Sequence, residues 1–323
     1  MSQHFLLSAK ARSLSLSAVA RLSDEEALET FKAIRWAPND GKPYCSKCGG
    51  LAPYARKAKP LWECRECGHV FSVTSGTLFA SRKLPIRDYL LAIAIFVNGA
   101  KGHSALQLSR DLDCQYKTAF VMAHKIREAM AAEGVERVGG EGKTVEIDGG
   151  YFGGYVKPAN HKENRRDLRK AKNQTGKRQV VVVMREREGR SKTAIFKTEA
   201  KSIPAIPQHV AEGSEIHADE ASHWDILQAR LPVKRINHSQ SYSDGEGEGC
   251  TNQAESFFSR LRRAEIGVHH HVAGPYLAAY ASEMAWREDH RRIANGEQFR
   301  MTINSALKQP KSRLWCGYWQ RKA

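Results

Sequence analysis

Three carboxylates stand where divalent-ion chemistry would place them. Asp148 ends the run Lys-Thr-Val-Glu-Ile-Asp, and Asp219 ends Glu-Ile-His-Ala-Asp. Thirty-five residues separate Asp219 from Glu255, which lies in Asn-Gln-Ala-Glu-Ser-Phe-Phe-Ser-Arg-Leu-Arg-Arg. Hard cations such as magnesium or manganese take oxygen ligands, and a pair of them clamps the attacking and leaving oxygens of an in-line phosphoryl displacement. That is the chemistry for cutting and rejoining nucleic acid.

Period-two alternation puts Val145 and Ile147 on one face of a strand and Glu146 and Asp148 on the other, with Asp148 last. At about 100° per residue, Asn252, Glu255, Ser259 and Arg262 share one face of a helix. Ala254, Phe257, Phe258 and Leu261 share the opposite face, so Glu255 would project from a helix anchored by two rings. Glu146, Glu220 and Glu283 are the nearest rival ligands, and Asn252 offers an amide oxygen. His269-His270-His271 reads as a solvated turn or a phosphate contact rather than a metal site.

A second metal chemistry is local. Cys45-Ser-Lys-Cys48, fifteen residues, then Cys64-Arg-Glu-Cys67 has the spacing of a zinc ribbon with four thiolates on one structural ion. Gly49 and Gly68 follow the pairs, where a knuckle turn requires positive φ. Cys114, Cys250 and Cys316 are scattered and expected to be free thiols in a reducing compartment. Lys plus Arg outnumber Asp plus Glu by 51 to 35, a net +16 that suits a polyanionic partner. The longest apolar stretch, Tyr89 to Val97, is too short to span a bilayer, so a membrane role is not expected.

These residues need a scaffold. Ser23 caps a short helix over 24–35, behind an exposed N-terminal arm. Ile86 to Val97 predicts a buried helix, Ser104 opens a second, and a third starts at Gln115 after a tight Asp113-Cys114 corner. As a helix-turn-helix, this module would bring Gln115, Lys117 and Thr118 to base edges, with Lys125 and Arg127 further along the outer face. Strands are expected at 143–148, 178–187, 191–198, 215–219 and 233–237, with a Pro-interrupted helical stretch at 203–212, a helix at 224–231 and helices over 250–295. That order predicts an α/β, ribonuclease-H-like mixed-sheet domain. A basic insertion carrying Arg165, Arg166, Arg169 and Lys170 would lie on a phosphate backbone, and Ser239 to Gly249 reads as a flexible loop. The expected divisions are 1–40 (arm and short helix), 41–82 (zinc ribbon), 83–135 (helix-turn-helix), 143–295 (catalytic domain with the insertion at 157–178) and 296–323 (C-terminal tail).

From about Leu22 to Arg292 the chain resembles the bacterial insertion-sequence transposases of the ISXO type, the family numbered fifteen-ninety-five. The resemblance rests on Arg35-Trp36 before the paired cysteines and Phe71-Ser-Val-Thr-Ser-Gly-Thr after them. It continues through Val145-Glu-Ile-Asp148, Gly153-Gly154, His217-Ala-Asp219-Glu220, Asn237-His238-Ser239, Thr251-Asn-Gln-Ala-Glu255-Ser-Phe, Leu261-Arg-Arg and Tyr280-Ala-Ser-Glu283-Met-Ala-Trp-Arg287. It implies a DDE transposase in which Asp148, Asp219 and Glu255 hold two magnesium or manganese ions. Arg262 stands where such proteins carry a basic residue seven places after the acid. Gly149 departs from the pattern, replacing an acid that often follows the first Asp, and relatives with Asn as third member make Asn252 a competitor to Glu255. The implied activity is binding of element ends, strand cleavage and 3′-hydroxyl strand transfer, by a homo-oligomer on double-stranded DNA in the bacterial cytoplasm. A non-catalytic regulator and a nuclease without strand transfer are the alternatives.

Overall fold

The computed structural model describes residues 4–57, 59–173, 176, 178–236, 250–272 and 274–320. The predicted loop from Ser239 to Gly249 lies outside them. The chain forms two compact units, Met1–Glu133 with His290–Ala323, and Gly134–Asp289.

In the first unit, residues 4–22 are largely exposed, as expected of an arm, but they are anchored. They contain a short helix, α1 (Leu16–Ala20), bury Val19, and are tied down where the Asn295 side chain accepts the backbone N–H groups of Ser13 and Leu14 at 2.8 Å each. Helix α2 (Asp24–Arg35) begins at Ser23 with a full capping box, Glu26 reaching back to the Ser23 amide. Its end is fastened to the next segment, because the Arg35 guanidinium donates to the Ser72, Val73 and Ser75 carbonyls. The cysteine pairs lie on a small antiparallel sheet of β1 (Pro53–Ala55), β2 (Trp62–Cys64) and β3 (Val70–Phe71). Trp36 packs edge-on to Trp62 at 5.2 Å beneath it.

Helices α3 (Ile86–Asn98), α4 (Ala105–Asp111) and α5 (Tyr116–Ala132) follow at the predicted places, with Ser104 capping α4 and Asp113 taking a left-handed conformation at the corner. Two residues expected on the outer face of α5 are buried instead. Lys125 donates to the Ala80 carbonyl, while Arg127 donates to the His103 carbonyl and lies over the Phe96 ring. Periodicity shows a helix's two faces but not which neighbours cover them, and long basic side chains bury their stems readily. The stretch read as a tail holds a helix, Asn295–Lys308, whose Phe299, Ile303, Ala306 and Leu307 are buried at helical spacing. Ser305 Oγ donates to the Ala129 carbonyl at the end of α5.

The second unit opens with β4 (Val138–Gly139), then β5 (Thr144–Phe152), which runs past the predicted end at Asp148. The insertion forms a small hairpin, β6 (Val156–Lys157) with β7 (Arg166–Asp167). Strands β8 (Gln179–Glu186) and β9 (Ser191–Phe196) follow antiparallel. After a 3-10 stretch (Glu199–Ala205), α6 (Ile206–His209) and β10 (Val210–Ala211) come β11 (Glu215–Asp219), the 3-10 stretch Ser222–Ala229 and β12 (Val233–Ile236). The five-stranded sheet has the order β12-β11-β5-β8-β9; β12, β11 and β5 are parallel, and β8 is antiparallel to its neighbours. Helices α7 (Asn252–Ala264) and α8 (Leu277–Asp289) complete it, separated by a π-helical turn over Glu265–His269.

Each face of this sheet has its own core. Val145, Ile147, Val180, Val182, Met184, Ile216 and Ala218 pack on one side with Ile203, Trp224 and Leu227. Phe152, Val181 and Val183 pack on the other with Ala254, Phe257, Phe258 and Leu261 of α7. The alternation read from the sequence thus assigns Glu146 and Asp148 to the side that α7 covers.

Candidate active site

The four cysteines form a cage. Cys45 and Cys67 sulfurs lie 3.7 Å apart, Cys48 and Cys64 sulfurs 3.5 Å apart, and all four fall within 4.8 Å of one another. Sulfurs at the corners of a zinc tetrahedron with bonds near 2.3 Å sit about 3.8 Å apart, so the cage fits that ion. Gly49 and Gly68 have φ of 81° and 64°, and their amides close the two knuckles onto the Cys45 and Cys64 carbonyls. Cys114, Cys250 and Cys316 are not joined in disulfides.

The acids are mounted differently. In the parallel pairing of β5 with β11, Ile147 faces Ala218, so Asp148 and Asp219 occupy the next register position on neighbouring strands. Beyond that point β5 pairs with β8 alone among the described residues, so no described strand covers its other edge beside Asp219. Asp148 is therefore not last in its strand. Gly149 and Gly150 extend the strand instead of ending it, because the sheet's two covering layers close in on both. A Cβ on Gly150 would lie 2.5 Å from the Phe258 ring, and one on Gly149 would lie 2.5 Å from Glu199 Cγ.

Asp219 is oriented by two donors, the Trp224 indole N–H at 2.6 Å and the Ala221 amide at 3.2 Å. Trp224 is buried in the core on the sheet face opposite α7, so the carboxylate is held by a rigid ring. The Asp-x-x-x-x-Trp spacing was visible in the sequence, but no periodicity marks an indole that bonds back to a strand end.

Helix α7 presents the faces expected of it: Ala254, Phe257, Phe258 and Leu261 are buried, while Asn252, Glu255 and Arg262 are exposed. Its position on β5 is fixed at two places. The Glu146 carboxylate accepts the amides of Gln253 and Ala254 at 2.8 and 3.0 Å, and Phe258 covers Gly150. The turn bearing Glu255 lies between these anchors, as Asp148 lies between Glu146 and Gly150 on the strand. Arg262, two turns on, sits 5.7 Å from the Phe152 ring.

The rival ligands separate clearly. Glu146 has no exposed side-chain surface and is committed to the helix N-terminus and to Arg187 at 3.1 Å. Arg187 also donates to His217 and to Cys250, joining β8, β11 and the residue just ahead of α7. Glu283 is equally buried and paired within its helix to Arg287 at 2.8 Å. Glu220 is exposed. In the histidine run, His270 takes a left-handed conformation at the end of the π-helical turn, and His269 lies against Tyr280.

Sequence reasoning missed Glu199. It stands at the start of the 3-10 stretch after β9, with 19% of its side chain exposed and its carboxylate 3.6 Å from His223 Nε2. Burial, then the charges of Asp219 and Asp148, pushes its carboxyl up to about 7. Burial lowers His223, against the pull of Asp219. No strand end or helix face singles out Glu199; its neighbours come from segments fifty residues upstream and twenty downstream.

Among the described residues, only the four cysteines gather three or more ligand atoms within 4.8 Å of one another. Asp148, Asp219 and Glu255 are spread more widely than that. Oxygen donors of this kind are the ligands that hard divalent cations take.

The residues expected to touch DNA lie on two separate structures. Gln115, Lys117 and Thr118 line a cavity of about 620 Å³ together with Lys83, Lys125 and Lys311, and no acid lines it. Trp315, stacked on His124, and Tyr318, against Phe120, cover the side of α5 beyond it. In the insertion, Arg165, Arg166, Arg169 and Lys170 are all exposed, but Arg169 is held by both oxygens of Asp167 at 2.9 Å.

Residues 138–289 match the family model described as the ISXO2-like transposase domain, and residues 22–70 match the transposase zinc-ribbon domain. No curated protein and no solved structure matches the chain. The four-cysteine cage, with the ribbon match around it, supports a structural zinc ion. No described helix is long and apolar enough to cross a membrane.

Proposed function

The chain is a transposase, its ISXO2-like transposase domain preceded by a transposase zinc ribbon, and on that premise we propose that it binds the ends of an insertion sequence, cleaves there and joins the freed 3′-hydroxyl to target DNA. The observation that carries this reading is the placement of Asp148 and Asp219 at matching positions on adjacent parallel strands, beneath the helix that bears Glu255, all inside the matched domain. The strand order with its antiparallel pair beside three parallel strands supports a ribonuclease-H-like catalytic domain. Divalent magnesium or manganese, when bound, would polarise the scissile phosphodiester and activate the attacking hydroxyl.

The protein's own residues do the positioning. Asp148, Asp219 and Glu255 hold the ions, and Asn252, one turn before Glu255 on the same exposed face, orients the DNA or its neighbouring acid. Trp224 fixes the Asp219 carboxylate; Glu146 and Phe258 fix the helix. Arg262 and the exposed arginines 165 and 166 with Lys170 bind phosphates, while Gln115, Lys117 and Thr118 of the α4–α5 helix-turn-helix approach bases. The active species is a homo-oligomer on paired DNA ends in the bacterial cytoplasm.

The test uses a supercoiled plasmid carrying the element's ends, with Mn²⁺. Wild type is expected to release 3′-hydroxyl ends and form strand-transfer products. Asp148→Ala, Asp219→Ala and Glu255→Ala should each lose at least about a thousandfold in cleavage while retaining end binding, since preorganised charge stabilisation is worth that much. Asn252→Ala should lose far less. Cleavage without joining would leave a nuclease. Binding without either reaction would leave a regulator.

A further inference from the structure

We infer that Glu199 is a fourth carboxylate of the divalent-ion site, admitted to it by the missing side chain at Gly149. The inference rests on the reading of Asp148 and Asp219 as ion ligands and extends it to a residue on a different segment.

The geometry begins with the strand. By alternation Gly149 faces the side opposite Asp148, toward the layer that contains the Glu199–Ala205 stretch. A Cβ built on Gly149 would lie 2.5 Å from Glu199 Cγ, 2.6 Å from Oε1 and 2.7 Å from Cδ. The glutamate thus fills the volume that any other residue at 149 would claim. The φ at Gly149 is not in the left-handed region, so its backbone conformation does not demand glycine. Space is the only requirement the structure places on this position, and Glu199 is what uses the space.

The surroundings are unusual for a carboxylate with a structural purpose. Structural acids in this unit have cationic or amide partners at hydrogen-bonding distance: Glu146 has Arg187 and two helix amides, Glu283 has Arg287, and Asp289 has the Ser191 amide. Glu199 has His223 at 3.6 Å, beyond a normal hydrogen bond. The charges that bear on it most are those of Asp219 and Asp148, and both are repulsive. Among the described residues no arginine or lysine is ion-paired to Glu199, and the one attractive charge that bears on it, Arg178, is outweighed by the two carboxylates, so a cation would relieve the set. Oxygen donors on this scale suit magnesium or manganese rather than zinc.

The test measures Mn²⁺ binding to the full zinc-loaded chain by titration calorimetry, with thermal melts of each variant confirming an intact fold. Glu199→Ala and Glu199→Gln should weaken Mn²⁺ binding about tenfold or more, the scale on which residues around a metal site act. Gly149→Ala should do the same without touching any carboxylate, because its Cβ must expel Glu199. Asp148→Ala is the control on the underlying reading. If Asp148→Ala weakens binding and the other variants do not, Glu199 is outside the site and this inference is overturned alone. If Gly149→Ala weakens binding while Glu199→Ala has no effect, the inference is again overturned, since the crowding acts through something else. If Asp148→Ala leaves Mn²⁺ binding unchanged, the site itself is misassigned and both readings go together.

Discussion

The thiolate cage and the proposed carboxylate site are built in opposite ways. The cage takes all its ligands from residues 45 to 67, closes them to within 4.8 Å and turns each knuckle on a glycine. The carboxylates come from strands and a helix between residues 148 and 255, stay further apart and lie beside a strand edge that no described strand covers. A closed soft shell holds structure together, whereas an open hard one leaves room for a substrate's oxygens. The position of a ligand in the chain follows from this. A structural ion can be held by a local turn, but a reacting phosphate must be met from several directions.

The sharpest break of that comparison is at the cage. Cys64→Ser should remove the single zinc and unfold the ribbon, since structural zinc contributes about 10–16 kcal/mol of binding energy to small modules. Metal analysis should fall from one zinc per chain to none, with proteolysis appearing between residues 41 and 82. Retained zinc would show that the cage is not the ion's home.

Next in size is the brace beneath the carboxylates. Glu146→Ala strands the Arg187 guanidinium and two amides at the head of α7, so it should cost about 3 kcal/mol in denaturant unfolding. A loss below about 1 kcal/mol would mean that α7 is seated by its apolar face alone. A smaller effect is expected from a carboxyl whose burial outweighs its ion pair with Arg185. Asp289 is pushed up to about 6 by burial, despite bonds from Ser191 and the charge of Arg185. The folded chain therefore binds a proton that the unfolded chain, near 3.9, has released. Its contribution is full below about pH 4 and is lost as pH rises through about 6, by at most roughly 3 kcal/mol. Asp289→Asn should flatten that fall in chemical-denaturation curves taken between pH 4 and 7; an unchanged slope would assign it to another group. The smallest change expected is at Trp224. Trp224→Phe keeps the ring and deletes only the N–H that holds Asp219, so cleavage should drop about tenfold with end binding unmoved. No change in rate would mean that the Ala221 amide suffices.

What could be read from the chain follows the same division. The cysteine spacing is local, and the cage matches it residue for residue. Asp148, Asp219 and the exposed face of α7 were legible through strand and helix periods, because each depends on residues within a few positions of itself. The end of β5 was misread at Gly149-Gly150, which signals a stop in isolation but here admits a glutamate and a phenylalanine from opposite layers. Lys125 and Arg127 look outward on a helical wheel and are buried, and residues 4–22 look like an arm and are held by Asn295. Both outcomes are set by segments far away in sequence. The Phe299, Ile303, Ala306, Leu307 spacing was present all along in the supposed tail.

Glu146 and Gly150 attach α7 to β5 at two points on one strand face, the first by hydrogen bonds and the second by shape. In mechanical terms this is a two-point mount. One fastening alone would let the helix pivot, and a smooth apolar contact alone would let it slide. Together they send a pull on the exposed side of α7, such as bent DNA would exert there, into the sheet as a whole. The turn carrying Glu255 would then keep its station over the strand under such a load.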